Sequence, residues 1–327
     1  MDLLTCSNKK ALLPSGGSKT GNYIPAEPSV QCDFRFAGLS IETIEAQICP
    51  FVKHDFPPAA DDFGLCRPSI LCYTEKKKGA AAMNETIRQL KDRKSVRVYE
   101  DRPVAPDVKA AIIDAAIQAP TAGNMSLYTI LDITDPSLKA ALAESCDHQP
   151  FIATAPLVLI FCADYRRWHE AFTRYAPGAR NPGMGDLFLA QADAIIAAQN
   201  AVVAAQSLGL GSCYIGDVIE NFEFHRELLK LPEHVVPAAM VCFGYPTEQQ
   251  LRRQKPARFK AEDLVHENGY DIDKSEALPW MVMERQVLSD DEVPLWLRNL
   301  ARRKWDSEFS KEMNRSAQVI ADDWCKK

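Results

Sequence analysis

One stretch constrains the fold of this chain more than any other: Asp186 to Leu208, DLFLAQADAIIAAQNAVVAAQSL, followed by GLGSCYIG. It holds no proline or glycine, is rich in alanine and is apolar over most of its circumference, the pattern of a helix buried on nearly every side. Asp186, Asp193, Asn200 and Ser207 recur every seven positions and fall in one narrow polar line along that helix. Gly209 supplies the left-handed residue that ends such a helix, with Leu210 following it. Gly211 to Gly216 is small and backbone-rich, and reads as a loop able to lay main-chain amides against a flat ligand. A buried helix of this length needs protein all around it, which a second copy of the chain supplies more readily than one modest domain.

The totals remove several classes. Across 327 residues, 38 basic and 44 acidic side chains leave a net charge of −6, so no broad nucleic-acid footprint is expected. No uninterrupted apolar run approaches the roughly 18 to 20 residues of a membrane span, so no membrane partner is expected. The N-terminus lacks the charged region, apolar core and small-residue cleavage site of an export signal, which predicts a cytoplasmic protein. Ten cysteines include no CxxC pair and no His/Cys spacing of a zinc site, so reduced thiols and no metal are expected.

Residues 1–82 differ from the rest, with five of the ten cysteines and no lasting helical or strand period. Ile41 to Ile48 suits two helical turns, and Gly16-Gly17-Ser18-Lys19-Thr20 lacks both the leading glycine and the preceding strand of a phosphate loop. Lys78-Gly79-Ala80 can be encoded with GGAG about eight nucleotides before an ATG at Met83, where a ribosome-binding site would stand. Residues 1–82 are therefore expected to be translated leader or a disordered extension.

From Met83 the pattern sharpens. Asn84 is placed to cap a short helix, ETIRQLKDR, with Ile87 and Leu90 facing inward. It runs into Arg93-Lys94-Ser95-Val96-Arg97, three cations and a hydroxyl able to present several donors to one phosphate. Val108, Ala111, Ile112, Ala115 and Ala119 mark an amphipathic helix stopped by Pro120, before the small loop Thr121-Ala122-Gly123-Asn124. Tyr128 to Thr134, Leu157 to Ala163 and Val236 to Phe243 read as strands, the last two buried on both faces. Arg166 to Gly185 reads as an irregular cap whose Trp168, Phe172 and Tyr175 line its inner side or pack on their own helix. Phe222 to Leu231 is expected to be helical, and so is the tail from Leu295 to Trp324, with Trp296, Leu300, Trp305, Phe309 and Met313 near one face. A second cationic group, Arg252-Arg253-Gln254-Lys255-Pro256-Ala257-Arg258, has its backbone fixed by Pro256. No GxGxxG, GxSxG, HExxH or paired helical carboxylate is present, which points to chemistry carried by a bound organic cofactor.

RKSVRVYEDRPV, APTAGN, IAAQNAVVAAQSLGLGSCYIGD and FGYPTEQQLRRQKPARF with LVHENGY together resemble the nitroreductase family of flavin enzymes, over Met83 to about Tyr270. The chain looks most like the branch of oxygen-insensitive nitroreductases and NAD(P)H–flavin oxidoreductases. The resemblance implies an α+β fold, a central mostly antiparallel sheet flanked by helices, in an intertwined homodimer with FMN at the subunit interface. It implies an FMN-binding domain over 83–270 and a helical tail over 271–327 packed on that domain or on the partner subunit. Arg93, Ser95 and Arg97, with Lys94 among them, match the first phosphate and flavin-edge group, and Lys255 and Arg258 the second clamp. Ala257 is an extra residue against the Lys-Pro-Arg of many relatives, which alters the reach of Arg258. Pro120, Thr121, Ala122 and Asn124 match a loop that approaches the flavin from the partner subunit. Gln149 matches a position on the pyrimidine edge, and Tyr214, Ile215 and Gly216 the backbone facing the ring near N5.

The implied activity is transfer of a hydride from NAD(P)H to flavin N5 and onward to a nitroaromatic, quinone or flavin acceptor, with no catalytic side chain required. Alternatives on the same fold are reductive dehalogenation, flavin fragmentation, or a flavin sensor or carrier without turnover. Arg315 is weighed between a ligand for the 2′-phosphate of NADPH and a solvated surface charge.

Overall fold

Four strands, β1 (Tyr128–Asp132), β2 (Leu157–Asp164), β3 (Gly211–Ile215) and β4 (Val235–Gly244), form one sheet in the order β1-β2-β4-β3, every neighbouring pair antiparallel. They are seen in a computed structural model that describes residues 84–326. The expectations placed on residues 1–82, the leader, the Ile41–Ile48 helix and the Gly16–Thr20 segment, lie outside the described residues.

Helices α1 (Glu85–Asp92), α2 (Pro106–Ile117), α3 (Pro136–Ser145) and the single turn α4 (Phe151–Thr154) precede β2. α5 (Arg166–Tyr175) and α6 (Met184–Ser207) lead to β3, and α7 (Phe222–Leu228) leads to β4. Beyond the sheet follow α8 (Glu248–Arg252), α9 (Ala261–Leu264), α10 (Ile272–Glu276), α11 (Leu278–Gln286), α12 (Val293–Leu300), a π turn at Ala301–Trp305 and α13 (Glu308–Trp324).

β2 and β4 are buried along their whole length, as their unbroken apolar runs require. Alternate residues face opposite sides. Leu157, Leu159 and Phe161 pack with α2 and α6, through Ile112, Ala116, Ala194, Ala198 and Val202. Val158, Ile160 and Cys162 pack on the other side with Leu142, Ile152 and Val218. The sheet is thus covered on both faces, and α6 is the helix laid across one of them.

α6 begins two residues before the predicted start and ends at Ser207, with Gly209 at φ 80° as the C-cap pattern demands. Its burial is one-sided within one chain: Phe188, Leu189, Ile195 and Ile196 are exposed. The helix is also long and apolar enough to cross a membrane by length and composition, a correction to the expectation that no such segment exists. That expectation counted uninterrupted apolar runs, whereas isolated polar residues leave the average composition of α6 apolar. The polar line has destinations: Asp186 is held by Arg180 and Gly183 N, Asp193 by the loop before β1, and Asn200 Nδ2 donates to Ala115 O at 3.2 Å.

Other expectations need correcting. Gly211–Ile215 is a strand, not a loop, because Gly211 to Ile215 pair in register with Gly244 to Met240. Asn84 does cap α1, its Oδ1 accepting from Ile87 N at 2.9 Å, but Ile87 and Leu90 remain about half exposed rather than facing a core. The first half of the predicted irregular cap is the regular helix α5, and Trp168 turns inward to donate from Nε1 to Met125 O at 2.8 Å. The C-terminal helical run is broken at Asp306 and Ser307, and Trp305 lies on the surface. The end of α13 enters the core instead, where Ile320 and Trp324 pack with Phe222, Leu187 and Ala190.

Candidate functional site

The early and late cationic segments meet at the β3 end of the sheet. Ser95 forms a parallel bridge with Ser212, and Val96 N donates to Ser212 O at 2.9 Å. The segment can lie this close because of two glycines. A Cβ on Gly211 would stand 2.5 Å from Val96 Cγ2, and one on Gly244 would stand 2.7 Å from the Tyr99 ring. Tyr99 then fixes the crossing by donating from its hydroxyl to Val96 O at 2.9 Å and Cys242 O at 3.2 Å.

The late segment locks onto the early one through reciprocal contacts. Lys94 Nζ donates to Leu251 O at 2.7 Å and to Arg253 O, at the carboxyl end of α8. Lys255 Nζ donates to Lys91 O, and to Leu90 O at 3.4 Å, at the carboxyl end of α1. Arg253 donates to Ser95 O. Each ammonium has three donors, so Lys255 keeps capacity beyond these carbonyls. Lys94 is thereby mainly a clasp between the segments.

Charge accumulates around this clasp. Burial, then the charges of Arg258 and Arg93, hold the Lys255 pKa below the ordinary lysine value, with Asp92 acting in the opposite sense. Burial raises the Cys213 thiol, opposed by Arg97, a hydrogen bond from Ser95 and Arg93. Burial pushes Tyr214 up to about 12 against the pull of Arg93. Arg93 and Arg258 thus act on Lys255, and Arg93, Ser95 and Arg97 on Cys213 of β3. Arg97 stands 6.0 Å from the Phe151 ring, and Arg258 Nη1 donates to Pro256 O at 3.2 Å. Crowded, part-exposed guanidinium and ammonium groups of this kind suit a multiply charged anion.

Beside them the chain leaves β3 at Ile215 and turns at Gly216, where an added Cβ would meet no atom within 4 Å. Open space thus faces that backbone. Tyr214 is half-buried and its hydroxyl donates to Gln199 Oε1 at 3.4 Å. Gln149 is half-buried too, its Nε2 donating to Cys146 O at 2.8 Å, which leaves Oε1 available.

The Pro120–Asn124 loop is elsewhere in the chain. Thr121 donates its hydroxyl to Asp193, whose carboxylate also accepts from Ala122 N and Leu127 N at 3.1 Å. Asp193 is 3 % exposed and pins the loop to the middle of α6. Gln206, near the end of α6, lines the same cleft as Lys94 and Gly211. At ~1.5 Å rise per residue the loop therefore sits about 20 Å along the helix from the cationic edge. One chain does not bring Pro120, Thr121, Ala122 and Asn124 to Arg93 and Lys255. Arg315 is also elsewhere, an exposed surface charge that donates to both oxygens of Glu223 at 2.8 Å and to both of Glu312 at 2.8 and 2.9 Å.

Sequence reasoning missed Asp193 as the anchor of the loop and Gly211 and Gly244 as the reason the segments can meet. The seven-residue spacing marked Asp193 but not its partners, and the glycines gain meaning only once Val96 and Tyr99 lie over them.

A profile of the nitroreductase family matches residues 90–245, which takes in both the early segment and the whole sheet. An NAD(P)H FMN reductase of Bacillus subtilis is 36% identical over 191 residues, 58% of this chain and 75% of that protein. The chain belongs to the nitroreductase family. It is an oxidoreductase of that family. An oxygen-insensitive NADPH nitroreductase of Salmonella typhimurium is 38% identical over 188 residues, again 58% of this chain and 75% of that protein. Among solved structures, an NADPH:FMN oxidoreductase from Vibrio harveyi complexed with NAD+ superimposes with a TM-score of 0.59 at 26% identity, over 73% of this chain and 98% of that one. The family's α+β fold, a central antiparallel sheet flanked by helices, is the one described above.

Proposed function

We propose that this oxidoreductase uses FMN held at the β3 edge and passes electrons from NAD(P)H to a nitroaromatic, quinone or flavin acceptor. The single observation that carries the reading is the clasp of the early cationic segment against the late one at the β3 edge, with Arg93 and Arg258 both acting on Lys255. These residues suit FMN, whose phosphate is a dianion and whose ring is flat. Bound FMN supplies a site that accepts a hydride from a nicotinamide and gives the electron pair to a second substrate.

The chain's own residues bind and orient. Arg93, Lys255 and Arg258 grip the phosphate through charge-assisted hydrogen bonds, while Ser95 and Arg97 face the nearer ring edge. Gln149 Oε1 accepts from the pyrimidine edge, and the Tyr214–Gly216 backbone stands against the ring. Positioning and exclusion of water are the protein's share of the catalysis.

The functional unit in this reading is a homodimer. Two features support it: the exposed Phe188, Leu189, Ile195 and Ile196 on α6, and the distance of the Pro120–Asn124 loop from its own chain's cationic edge. A second subunit covers the first and supplies the second. α6 then serves as a core helix at the seam, with no membrane and no nucleic acid as partner, in a cytoplasmic protein whose FMN-binding domain spans 83–270. The tail over 271–327 is anchored on that domain through Ile320 and Trp324 of α13.

Purified protein is expected to be yellow, to sediment at twice the chain mass, and to bleach with NAD(P)H without oxygen. Colour should return on adding a nitroaromatic or quinone. A colourless monomer that takes up no FMN removes the proposal.

A further inference from the structure

Glu220 is 3 % exposed, and its Oε1 has no hydrogen-bond partner among the described residues. It closes the short turn Asp217–Ile219 that Gly216 opens. A second turn lies against it, in which Asp147 and His148 adopt left-handed backbone (φ 58° and 51°) on the way to Gln149. Two contacts stitch the turns together. Asn221 Nδ2 donates to Ser145 O at 3.2 Å, and His225 Nε2 pairs with the Ser145 hydroxyl at 2.8 Å. α13 closes a third side, where Glu312 Oε1 accepts from Asn221 N at 3.0 Å.

The charges that face Glu220 all share its sign: Asp217 from its own turn, Asp147 from the second turn and Glu312 from α13. The cation next to Glu312, Arg315, is already held by Glu312 and Glu223. Cys146 and His225 lie close by without charge at neutral pH, since burial pushes the thiol up to about 12 and holds the imidazole below its ordinary pKa. A carboxylate here is buried, unpaired and among like charges, a costly arrangement. A neutral acid avoids that cost. Burial first, then Asp217, Asp147 and Glu312, raise the Glu220 pKa to about 7.

We propose that Glu220 is a positioning residue for the flavin site: as the neutral acid it lets the Asp147–Gln149 and Gly216–Asn221 turns pack together, and as the carboxylate it drives them apart. The claim that these turns face the ring rests on the proposed function; the junction between them does not. The sign follows from the raised pKa. An unfolded chain releases this proton in the ordinary carboxylate range, and the folded chain releases it only near 7. Between those limits the folded state holds the extra proton, so stability falls as pH rises through the window and levels off above it.

The test is urea denaturation and FMN titration of the full chain from pH 5.5 to 8.5, for wild type, Glu220→Gln and Asp147→Asn. Glu220→Gln keeps the shape of the neutral acid, and asparagine tolerates the left-handed backbone at 147. The urea-midpoint gap in favour of Glu220→Gln over wild type should be smallest at pH 5.5, widen as pH rises toward about 7, and level off by pH 8.5. Wild-type FMN affinity should weaken with rising pH, about tenfold for each unit by which FMN shifts the Glu220 pKa, while Glu220→Gln stays flat. Asp147→Asn should move the wild-type transition to lower pH, because one facing charge is gone. Parallel pH curves for wild type and Glu220→Gln overturn the proposal. The urea series decides it whether or not FMN binds, and failure of FMN to bind any variant counts against the flavin reading instead.

Discussion

Gly211 shows how much can hang on a missing side chain. With Val96 Cγ2 2.5 Å from where a Cβ would stand, any larger residue pushes the Arg93–Arg97 segment off β3. Gly211→Ala is expected to cost about 1–3 kcal/mol in urea denaturation, the usual range for overpacking, and to weaken FMN binding through displaced cations. Unchanged stability and affinity would show that the segment is not held against the strand. At this scale the sequence was partly legible. The cations at 93, 94, 97, 255 and 258 could be singled out, yet Lys94 and Lys255 bond the other segment's carbonyls, contacts invisible until α1 and α8 are placed side by side. Asp193 was marked by its spacing, but only the folded loop reveals that its carboxylate holds Thr121, Ala122 and Leu127.

Among elements, those with strong periods or long apolar runs were readable: α6, β2 and β4 lie within a few residues of their predicted bounds. β3 was not, because five residues beginning at a glycine after a helix cap carry too short a pattern to separate strand from loop. α5 was hidden by its arginines and aromatics, which interrupt a simple apolar stripe. α13 presents a different case, since its helical period was plain and its role was not. Its Arg315 clamps Glu223 and Glu312, whose carboxyls its hydrogen bonds hold down to about 2. Arg315→Met should lower the urea midpoint at neutral pH. The deficit should fade as pH falls toward about 2, where those carboxylates take up protons in the wild type. The ratio of kcat/KM for NADPH to that for NADH should stay as it is, because the guanidinium is already occupied. A selective loss with NADPH would restore Arg315 as a 2′-phosphate ligand.

For the whole molecule, the proposed dimer rests on what one chain leaves uncovered and apart. α6 covers the sheet with one face and leaves Phe188, Leu189, Ile195 and Ile196 outside, and the Asp193-anchored loop is far from the cations of its own chain. The sequence implied a second subunit from the helix's composition alone, and the one-sided burial gives that reasoning a physical form. The central claim is that cations from two distant segments grip one phosphate, and FMN and riboflavin differ by that phosphate. The most direct measurement is therefore the ratio of their dissociation constants for wild type, Arg93→Gln and Lys255→Met. Wild type should favour FMN strongly, and each substitution should shrink the preference about tenfold or more, at roughly 1.5–3 kcal/mol for a charge-assisted hydrogen bond, with riboflavin affinity nearly unchanged. A preference for FMN that survives both substitutions intact would contradict the account.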